Sequence, residues 1–291
     1  MTLVSSRPIE DRLNAIGHGV IDVDQETYDL FSCDFPQRNL GMVDDKASSL
    51  EVDVAGERYD IRQSPGLLTS SNAEGTTGAA LWKISPLLAE WLADQTNALW
   101  STGILDLDVV VVELGCGITG LVGLVMAKRV STYILTDQRS VLKLLQENVD
   151  ANAPHANRSK VKSRASRKVE RSSEGNSNAR VMELNWELDD AAALDDALSP
   201  GGQIDLVIVC DCVFNDFLLQ PLVTMCQKIC LRSIEKRTAL LVAQQLRSYE
   251  VFSAFMELLL IKFNVWRLSD ASLPPTLHSG SGFVVHLAIL R

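Results

Sequence analysis

The stretch VVVVELGCGITG, residues 109–120, joins a continuous apolar run to a turn that contains three glycines. An apolar run such as 109–114 is expected for a strand that is buried on both faces of a parallel sheet. Glycines directly after a strand let the backbone turn tightly and approach a ligand, and the N-terminus of the next helix presents free N–H groups. The stretch therefore predicts a central strand that leads into a ligand-binding loop.

Strands and helices alternate along the chain that follows this stretch. We predict a helix to about residue 128 and others at 140–152, 218–231 and 249–262, with strands at 133–137, 180–184, 204–210, 238–244, 264–268 and 282–290. The alternation indicates an α/β fold with a doubly wound, mostly parallel, Rossmann-like sheet of seven strands. The last two strands flank a short loop, so we expect the final strand to run antiparallel to its neighbours.

The N-terminal part, residues 1–74, shows a weaker pattern, and we predict that it extends a main domain at 75–291. Residues 51–63, EVDVAGERYDIRQ, alternate between apolar and polar on both sides of a central Ala-Gly pair, which predicts a β-hairpin. Residues 79–92 have the apolar spacing of a helix. The hairpin is therefore expected to precede the main domain as part of the extension.

Residues 157–180 carry eight basic and two acidic residues and almost no apolar ones. A segment of this composition cannot form a core, so we predict a disordered insertion between the second helix and the third strand. Its role stays open between a nuclear-import signal, a basic contact arm and a solvated loop without a task.

The composition of the 291 residues is that of a globular enzyme, with 46% hydrophobic residues. No apolar run approaches the roughly 20 residues needed to cross a bilayer, and the first ten residues lack the apolar core of a secretory signal. The net charge of −10 argues against binding of nucleic acid through its phosphates and favours a basic partner. The six cysteines include no CxxC pair, so we expect no metal. We expect a monomer in the cytoplasm, and also in the nucleus if 157–180 is an import signal.

The glycine loop formally matches the GxGxxG pattern of dinucleotide-binding folds as well. Glu113, however, would lie beneath the loop, where its charge would repel a pyrophosphate and attract the ammonium group of an amino-acid ligand. Asp137 ends the second strand about twenty residues later, where a carboxylate can accept both ribose hydroxyls; alternatively, it caps the following helix. These residues favour S-adenosylmethionine as the ligand, and no Tyr-x-x-x-Lys motif supports an NAD(P)-dependent oxidoreductase.

Four separate pieces of sequence resemble motifs of the seven-strand protein lysine methyltransferases, methyltransferase family 16. They are GAALW (78–82) with LLAEWL (87–92), ELGCG (113–117), NW (185–186) and DCVF (211–214). Asn148 and Asn152 also fall where the family has asparagines in the helix after the second strand. The resemblance covers about residues 75–291, and residues 210–216 (CDCVFND) are most similar to the fungal branch that methylates ribosomal proteins.

The resemblance implies a role for each of ten residues. The site for the methyl donor S-adenosylmethionine would be lined by Trp82, Glu113, Gly115, Cys116, Gly117, Asp137, Trp186 and Cys210. Taken by themselves, the two tryptophans would be interpreted as core packing. Catalysis would fall to Asp211 and Phe214, which follow the fourth strand. The family often has a tyrosine at the position of Phe214, so a mechanism that needs a phenol is in doubt.

We expect Asp211 to capture and aim the ammonium group of a lysine, since ligands of open α/β sheets bind beyond the carboxyl ends of the strands; alternatively, it caps the next helix. No Pro-Pro pair follows it, which disfavours the planar nitrogen of a nucleic-acid base. The sequence therefore predicts a protein-lysine N-methyltransferase, with a basic large-subunit ribosomal protein as the favoured substrate. The alternatives are an elongation factor, a chaperone, a small molecule, or a binding subunit that keeps the fold without turnover.

Overall fold

The computed structural model describes residues 8–33, 41–68, 77–153, 178–199, 201–233 and 237–291. The strands in these ranges are β1 (Gly17–Val20), β2 (Ser49–Val54), β3 (Glu57–Arg62), β4 (Val110–Leu114), β5 (Thr132–Asp137), β6 (Ala179–Glu183), β7 (Leu206–Cys210), β8 (Ala239–Gln245), β9 (Phe263–Leu268) and β10 (Phe283–Leu290). The α-helices in the same ranges are α1 (Ile9–Asn14), α2 (Val23–Phe31), α3 (Pro65–Leu68), α4 (Ile84–Ala93), α5 (Ala98–Ser101), α6 (Leu121–Met126), α7 (Arg139–Asn152), α8 (Asp216–Cys230) and α9 (Tyr249–Lys262).

One large sheet has the strand order β1-β9-β10-β8-β7-β4-β5-β6. The five strands from β6 to β8 in this order are parallel, and β10 runs antiparallel to both β8 and β9. The predicted doubly wound, mostly parallel sheet with a reversed final strand is therefore confirmed.

The predicted number of seven strands is wrong by one. The short strand β1 pairs antiparallel with β9, from Gly17 opposite Leu268 to Val20 opposite Val265, and adds an eighth strand at the edge. Its sequence, GHGV, has no alternating pattern that would predict a strand. The pairing covers the backbone groups that β9 would otherwise leave open at the edge of the sheet.

Both faces of the sheet are buried. Alternate residues of the central strands point to opposite sides, so neighbouring residues belong to different cores. Val111 and Ile208 belong to a core that includes α4, α6 and α7, whereas Val112 and Val209 belong to a second core with α8 and α9. The continuous apolar runs of the sequence thus follow from burial on both sides. None of the helices in the described ranges combines the length and the apolarity that a membrane span requires.

The predicted hairpin forms a separate two-stranded sheet of β2 and β3. Ala55 and Gly56 at its tip have φ of 53° and 75°, the left-handed values of a tight hairpin turn. Two asparagines of α7, one helical turn apart, attach β3 to the main domain. The side chain of Asn148 accepts from the N–H of Arg62 at 2.9 Å and donates to its carbonyl at 3.0 Å. Asn152 bonds the N–H and the carbonyl of Asp60 in the same way.

Several boundaries differ from their predictions or cannot be compared. Helix α7 begins at Arg139, one residue before its predicted start at 140, and its cap position is Gln138. Strand β6 includes the last two residues of the predicted insertion, and residues 154–177, which contain most of that insertion, lie outside the described residues. The predicted domain boundary at 74 also lies outside them.

The contacts of Asn148 predict an unequal effect of two matched substitutions. Asn148 is fully buried and its amide also donates to the carbonyl of Ile118 at 2.7 Å, so Asn148→Ala leaves several buried polar groups without partners. We expect the free energy of unfolding to fall by about 3 kcal/mol. Asn152→Ala, at a half-buried position, should cost about 1 kcal/mol. Urea unfolding measures both values, and equal losses would show that burial of Asn148 does not govern the attachment of the hairpin.

Candidate functional site

A cavity of about 470 Å³ lies at the carboxyl ends of β4, β5 and β7, where the loops that follow parallel strands converge. This volume is within the range of small-molecule sites, about 300–1,000 Å³. All ten residues predicted from the sequence line the cavity: Trp82, Glu113, Gly115, Cys116, Gly117, Asp137, Trp186, Cys210, Asp211 and Phe214. Residues as far apart as 82 and 214 are thus brought to one place by the sheet.

The glycine loop closes one side of the cavity and packs tightly against residue 78. Gly115 and Gly117 have φ of 72° and 65°, the left-handed region that favours glycine. The N–H of Ile118 donates to the carbonyl oxygen of Gly78 at 2.8 Å, and a Cβ on Gly117 would lie 3.0 Å from the same oxygen. The loop therefore presents backbone, without side chains, toward residue 78 and the cavity.

Asp137 orients this loop from the end of β5. Its Oδ2 accepts the N–H of Gly117 at 2.7 Å, and its Oδ1 accepts the N–H of Gln138 at 2.7 Å. Burial raises the pKa of Asp137, while these two hydrogen bonds act in the opposite direction. The alternative role of Asp137 as a cap for the following helix is not seen, because its carboxylate accepts the N–H of Gly117 in the glycine loop and the N–H of Gln138 directly after the strand.

Glu113 lies beneath the loop, as predicted, and is almost completely buried, with 2% exposure. The hydroxyl of Tyr133 donates to its Oε2 at 2.9 Å. Burial raises the pKa of Glu113 to about 7, and the charge of Asp137 acts in the same direction. A positive ligand in the cavity would lower this pKa again, because it stabilises the ionised carboxylate.

The two tryptophans form walls of the cavity and are only partly buried, so they are not simple core residues. The indole N–H of Trp82 donates to the carbonyl of Thr77 at 3.0 Å. Trp186 lies under Gly115, where a Cβ would approach its ring to 2.9 Å. The indole nitrogen of Trp186 is buried and has no hydrogen-bond partner among the described residues.

Three cysteines contribute neutral, apolar surface to the same region. Burial raises the pKa of the Cys116, Cys210 and Cys212 thiols well above the usual value, so none of them is a thiolate at neutral pH. The Cys212 sulfur approaches the carbonyl oxygen of Leu114 at 3.3 Å. These thiols pack the cavity wall and do not provide a nucleophile.

Asp211 is held by an ion pair that was not predicted from the sequence. Both of its carboxylate oxygens accept from the guanidinium of Arg247, at 2.7 and 2.6 Å. The guanidinium also lies 5.0 Å from the ring centroid of Trp82, within reach of a cation–π interaction. Asp211 has a left-handed φ of 60° and is 7% exposed. The alternative role as a helix cap is wrong, because Asn215 caps α8 by accepting the N–H of Phe217.

Arg247 could have been found from the sequence by the rule that located Asp211. It follows β8 by two residues, and the carboxyl ends of neighbouring parallel strands meet at one edge of the sheet. Several other lining residues were not predicted as site residues. They are Thr77 and Gly78 in a 3-10 turn, Thr119, Gln138, Glu187 and Asn215 in loops, and Leu218 in α8. They carry no pattern of their own, since single polar residues in loops are common.

The ionisable side chains of the lining, apart from the cysteines, are all acidic. Glu113, Asp137, Glu187 and Asp211 line the cavity, and the described lining includes no lysine, arginine or histidine. Such a site disfavours a pyrophosphate and suits ligands that carry a positive charge.

Comparison with known proteins identifies the family. A model of the family described as lysine methyltransferase matches residues 61–261, more than half of the chain. This chain belongs to the lysine methyltransferase family. Ribosomal lysine N-methyltransferase 5 of Zygosaccharomyces rouxii is 31% identical over 228 residues, which cover 71% of this chain and 72% of that protein.

Two further matches each cover only about half of the other protein. Diaminohydroxyphosphoribosylamino-pyrimidine deaminase of Schizosaccharomyces pombe is 28% identical over 248 residues, which cover 82% of this chain but 51% of that protein. About half of that protein therefore lies outside the match. Among solved structures, the tRNA (uracil-54, C5)-methyltransferase of Pyrococcus abyssi in complex with S-adenosyl-L-homocysteine has a TM-score of 0.41 at 12% identity, covering 84% of this chain and 45% of that one.

The lysine methyltransferase is an S-adenosylmethionine-dependent enzyme, and its cavity fits this methyl donor. The donor carries a sulfonium and an ammonium group, which match a lining of carboxylates. The glycine loop contributes Gly115 and Gly117 to the lining, and the unpartnered indole nitrogen of Trp186 offers a hydrogen-bond donor. The alternative of an NAD(P)-dependent oxidoreductase is wrong.

The raised pKa of Glu113 predicts how the ligand-free enzyme responds to pH. The folded state binds this proton more tightly than the unfolded state, so its stabilising effect is complete below about pH 4.5 and is lost as pH rises through about 7. Over this range, the wild-type enzyme should lose about 3 kcal/mol of unfolding free energy relative to Glu113→Gln. Urea unfolding of both proteins between pH 5 and 8 measures the difference. A difference that does not change with pH would contradict a raised pKa.

Proposed function

We propose that this enzyme methylates a lysine of a large-subunit ribosomal protein. The observation that carries the proposal is the acidic lining of the cavity in a chain whose relative in Zygosaccharomyces rouxii is named a ribosomal lysine N-methyltransferase. Ribosomal proteins are basic and rich in lysine. An elongation factor, a chaperone or a small molecule is the alternative substrate. The proposal places the enzyme in the cytoplasm.

The charge of the whole chain supports a basic substrate. The formal charge is −10, and residues 157–180 contribute about +6, which leaves about −16 on the rest. An acidic surface attracts basic proteins and increases the rate of their association at low salt. The same surface disfavours direct contact with nucleic acid, so we propose a protein and not ribosomal RNA as the partner.

We propose that the residues predicted to bind the methyl donor hold it through their position and their charge. S-adenosylmethionine supplies the methyl group as a sulfonium when it is bound. Asp137 accepts ribose hydroxyls while it keeps the glycine loop in place through Gly117. Glu113 provides a negative charge beneath the loop, and Trp82 and Trp186 provide flat walls. Together these residues would hold the donor so that the transferred methyl group faces the side from which the substrate lysine enters.

The substrate amine must be neutral to react, yet only about one free lysine in two thousand is neutral at pH 7. A lone carboxylate next to the amine would stabilise the charged form and oppose the reaction. We propose that Asp211 accepts a hydrogen bond from the amine while Arg247 compensates its charge. Asp211 then aims the nucleophile without raising the pKa of the amine as strongly as an unpaired carboxylate would. Phe214, which is 38% exposed, provides an aromatic wall and no hydroxyl.

This role predicts a change in the pH dependence of the rate. Arg247→Met removes the guanidinium and keeps most of the side-chain length, so Asp211 becomes an unpaired carboxylate that stabilises the substrate ammonium. The pH of half-maximal rate should therefore rise by about one unit. The rate is measured from pH 6 to 10 with tritiated donor and an extract of ribosomal proteins, and calorimetry with S-adenosylhomocysteine checks that the donor site is intact.

The matched control is the double variant Asp211→Asn/Arg247→Met, which also loses the contact of Arg247 with Trp82 but leaves no unpaired charge. Its pH of half-maximal rate should return close to that of the wild type, although its kcat stays low. If both variants have the wild-type pH profile, Arg247 does not act on the amine through Asp211.

The substrate proposal predicts the loss of one methyl-lysine from cells that lack this enzyme. Mass spectrometry of their large-subunit ribosomal proteins should show one lysine without methylation. Expression of the wild-type gene should restore the methyl group, and expression of Asp137→Ala should not, because the donor loop loses its carboxylate partner. If all ribosomal methyl-lysines persist while one disappears from an elongation factor or chaperone, the ribosomal substrate is wrong and the lysine methyltransferase activity stands.

A further inference from the structure

The exposed residues of the cavity lining come from two segments, 185–190 and 214–218. Both contribute to the lining, through Asn185, Trp186 and Glu187 on one side and Phe214, Asn215 and Leu218 on the other. Among the described lining residues, Glu187 and Phe214 are exposed, and the others are buried or half-buried. We call these two segments the rim.

The rim exposes two large apolar side chains, each close in the chain to an exposed residue of the cavity lining. Leu188 is 83% exposed and Phe217 is 87% exposed. Phe217 lies in the first turn of α8, where side chains lean toward the N-terminus of the helix and hence toward the carboxyl ends of the strands. Single exposed apolar residues are ordinary, but here each of the two segments that supply the exposed lining carries one.

The rim is also acidic throughout. It contains four carboxylates and no lysine, arginine or histidine. Asp189 accepts the N–H of Asn185 and Asp190 pairs with Lys228, so these two have local structural roles. Glu187 and Asp216 are exposed and form no ion pair with a described residue, although Asp216 also favours the N-terminus of α8. The rim therefore combines apolar surface with negative charge.

We propose that the rim is the docking surface for the substrate chain, and that it selects a lysine with basic neighbours and one apolar side chain next to it. The inference rests on the proposed function, since it takes a lysine of a basic protein as substrate. Charge complementarity identifies the occupant: Glu187 and Asp216 attract the basic neighbours, and the apolar neighbour packs against Leu188 and Phe217. Selection at the rim is independent of which basic protein carries the lysine.

The test is a binding experiment that does not depend on turnover. Three fluorescein-labelled twelve-residue peptides are compared in the presence of S-adenosylhomocysteine: one with a lysine between arginines and one adjacent leucine, one with serine in place of the leucine, and one with the arginines replaced by glutamates. Anisotropy should show that the wild type binds the leucine peptide about fivefold more tightly than the serine peptide, and the acidic peptide very weakly.

The variants assign these preferences to the rim. Leu188→Ser/Phe217→Ser should abolish the preference for leucine, and Glu187→Gln should weaken both basic peptides about threefold at low salt but not at high salt. The control is Ile21→Ser/Asp24→Asn, which removes an equally exposed apolar residue and a carboxylate near β1, at the far edge of the sheet. It should bind the three peptides like the wild type. Calorimetry with S-adenosylhomocysteine should give the wild-type affinity for this control and for Leu188→Ser/Phe217→Ser, because none of the four substituted residues lines the cavity.

Two results would overturn the proposal. One is equal binding of the leucine and serine peptides by the wild type, and the other is an unchanged preference in the rim variant. Either result leaves the ribosomal substrate to be decided by mass spectrometry. Conversely, a methyl-lysine lost from another basic protein would overturn the ribosomal substrate and leave the peptide result unaffected.

Discussion

The backbone of residue 118 connects three distant parts of the chain, and the shape of the site depends on it. Its N–H donates to the carbonyl of Gly78, and its carbonyl accepts from the side chain of Asn148. Asn148 in turn bonds the backbone of Arg62 in the hairpin. The glycine loop, the segment before α4 and the hairpin are therefore held together through one residue. This contact explains why Gly117 has no room for a side chain on the side of Gly78.

The cavity keeps several carboxylates in a buried place, and each is stabilised in a different way. Asp137 receives backbone N–H groups, Glu113 receives the hydroxyl of Tyr133, and Asp211 receives the guanidinium of Arg247. Buried charges are costly without such partners. Among the described residues, Asp211 is therefore compensated by a cationic side chain, whereas Glu113 and Asp137 form no ion pair.

Most of the fold could be predicted from the sequence, because burial leaves a local pattern. The largely apolar run at 109–114 contains β4, since a strand covered on both faces favours apolar residues at most positions, and Glu113 is the one polar exception. The helix predicted at 249–262 agrees with α9. The ten residues predicted for the site all line one cavity, because eight of them lie at the carboxyl ends of neighbouring strands or in the loops that follow, and because a family resemblance placed the two tryptophans. The short strand β1 had no such signal, since two of its four residues are glycine.

What the sequence by itself determined is the order of strands and helices, the glycine loop after β4 and the acidic residues that follow β5 and β7. Apolar periodicity and glycine conformation act over a few residues, so the linear pattern contains them. Only the tertiary structure decided that Arg247 pairs with Asp211 and that Asn148 bonds residues 62 and 118. Hydrogen bonds and ion pairs between distant polar groups depend on where the chain returns in space, and no local pattern records that position.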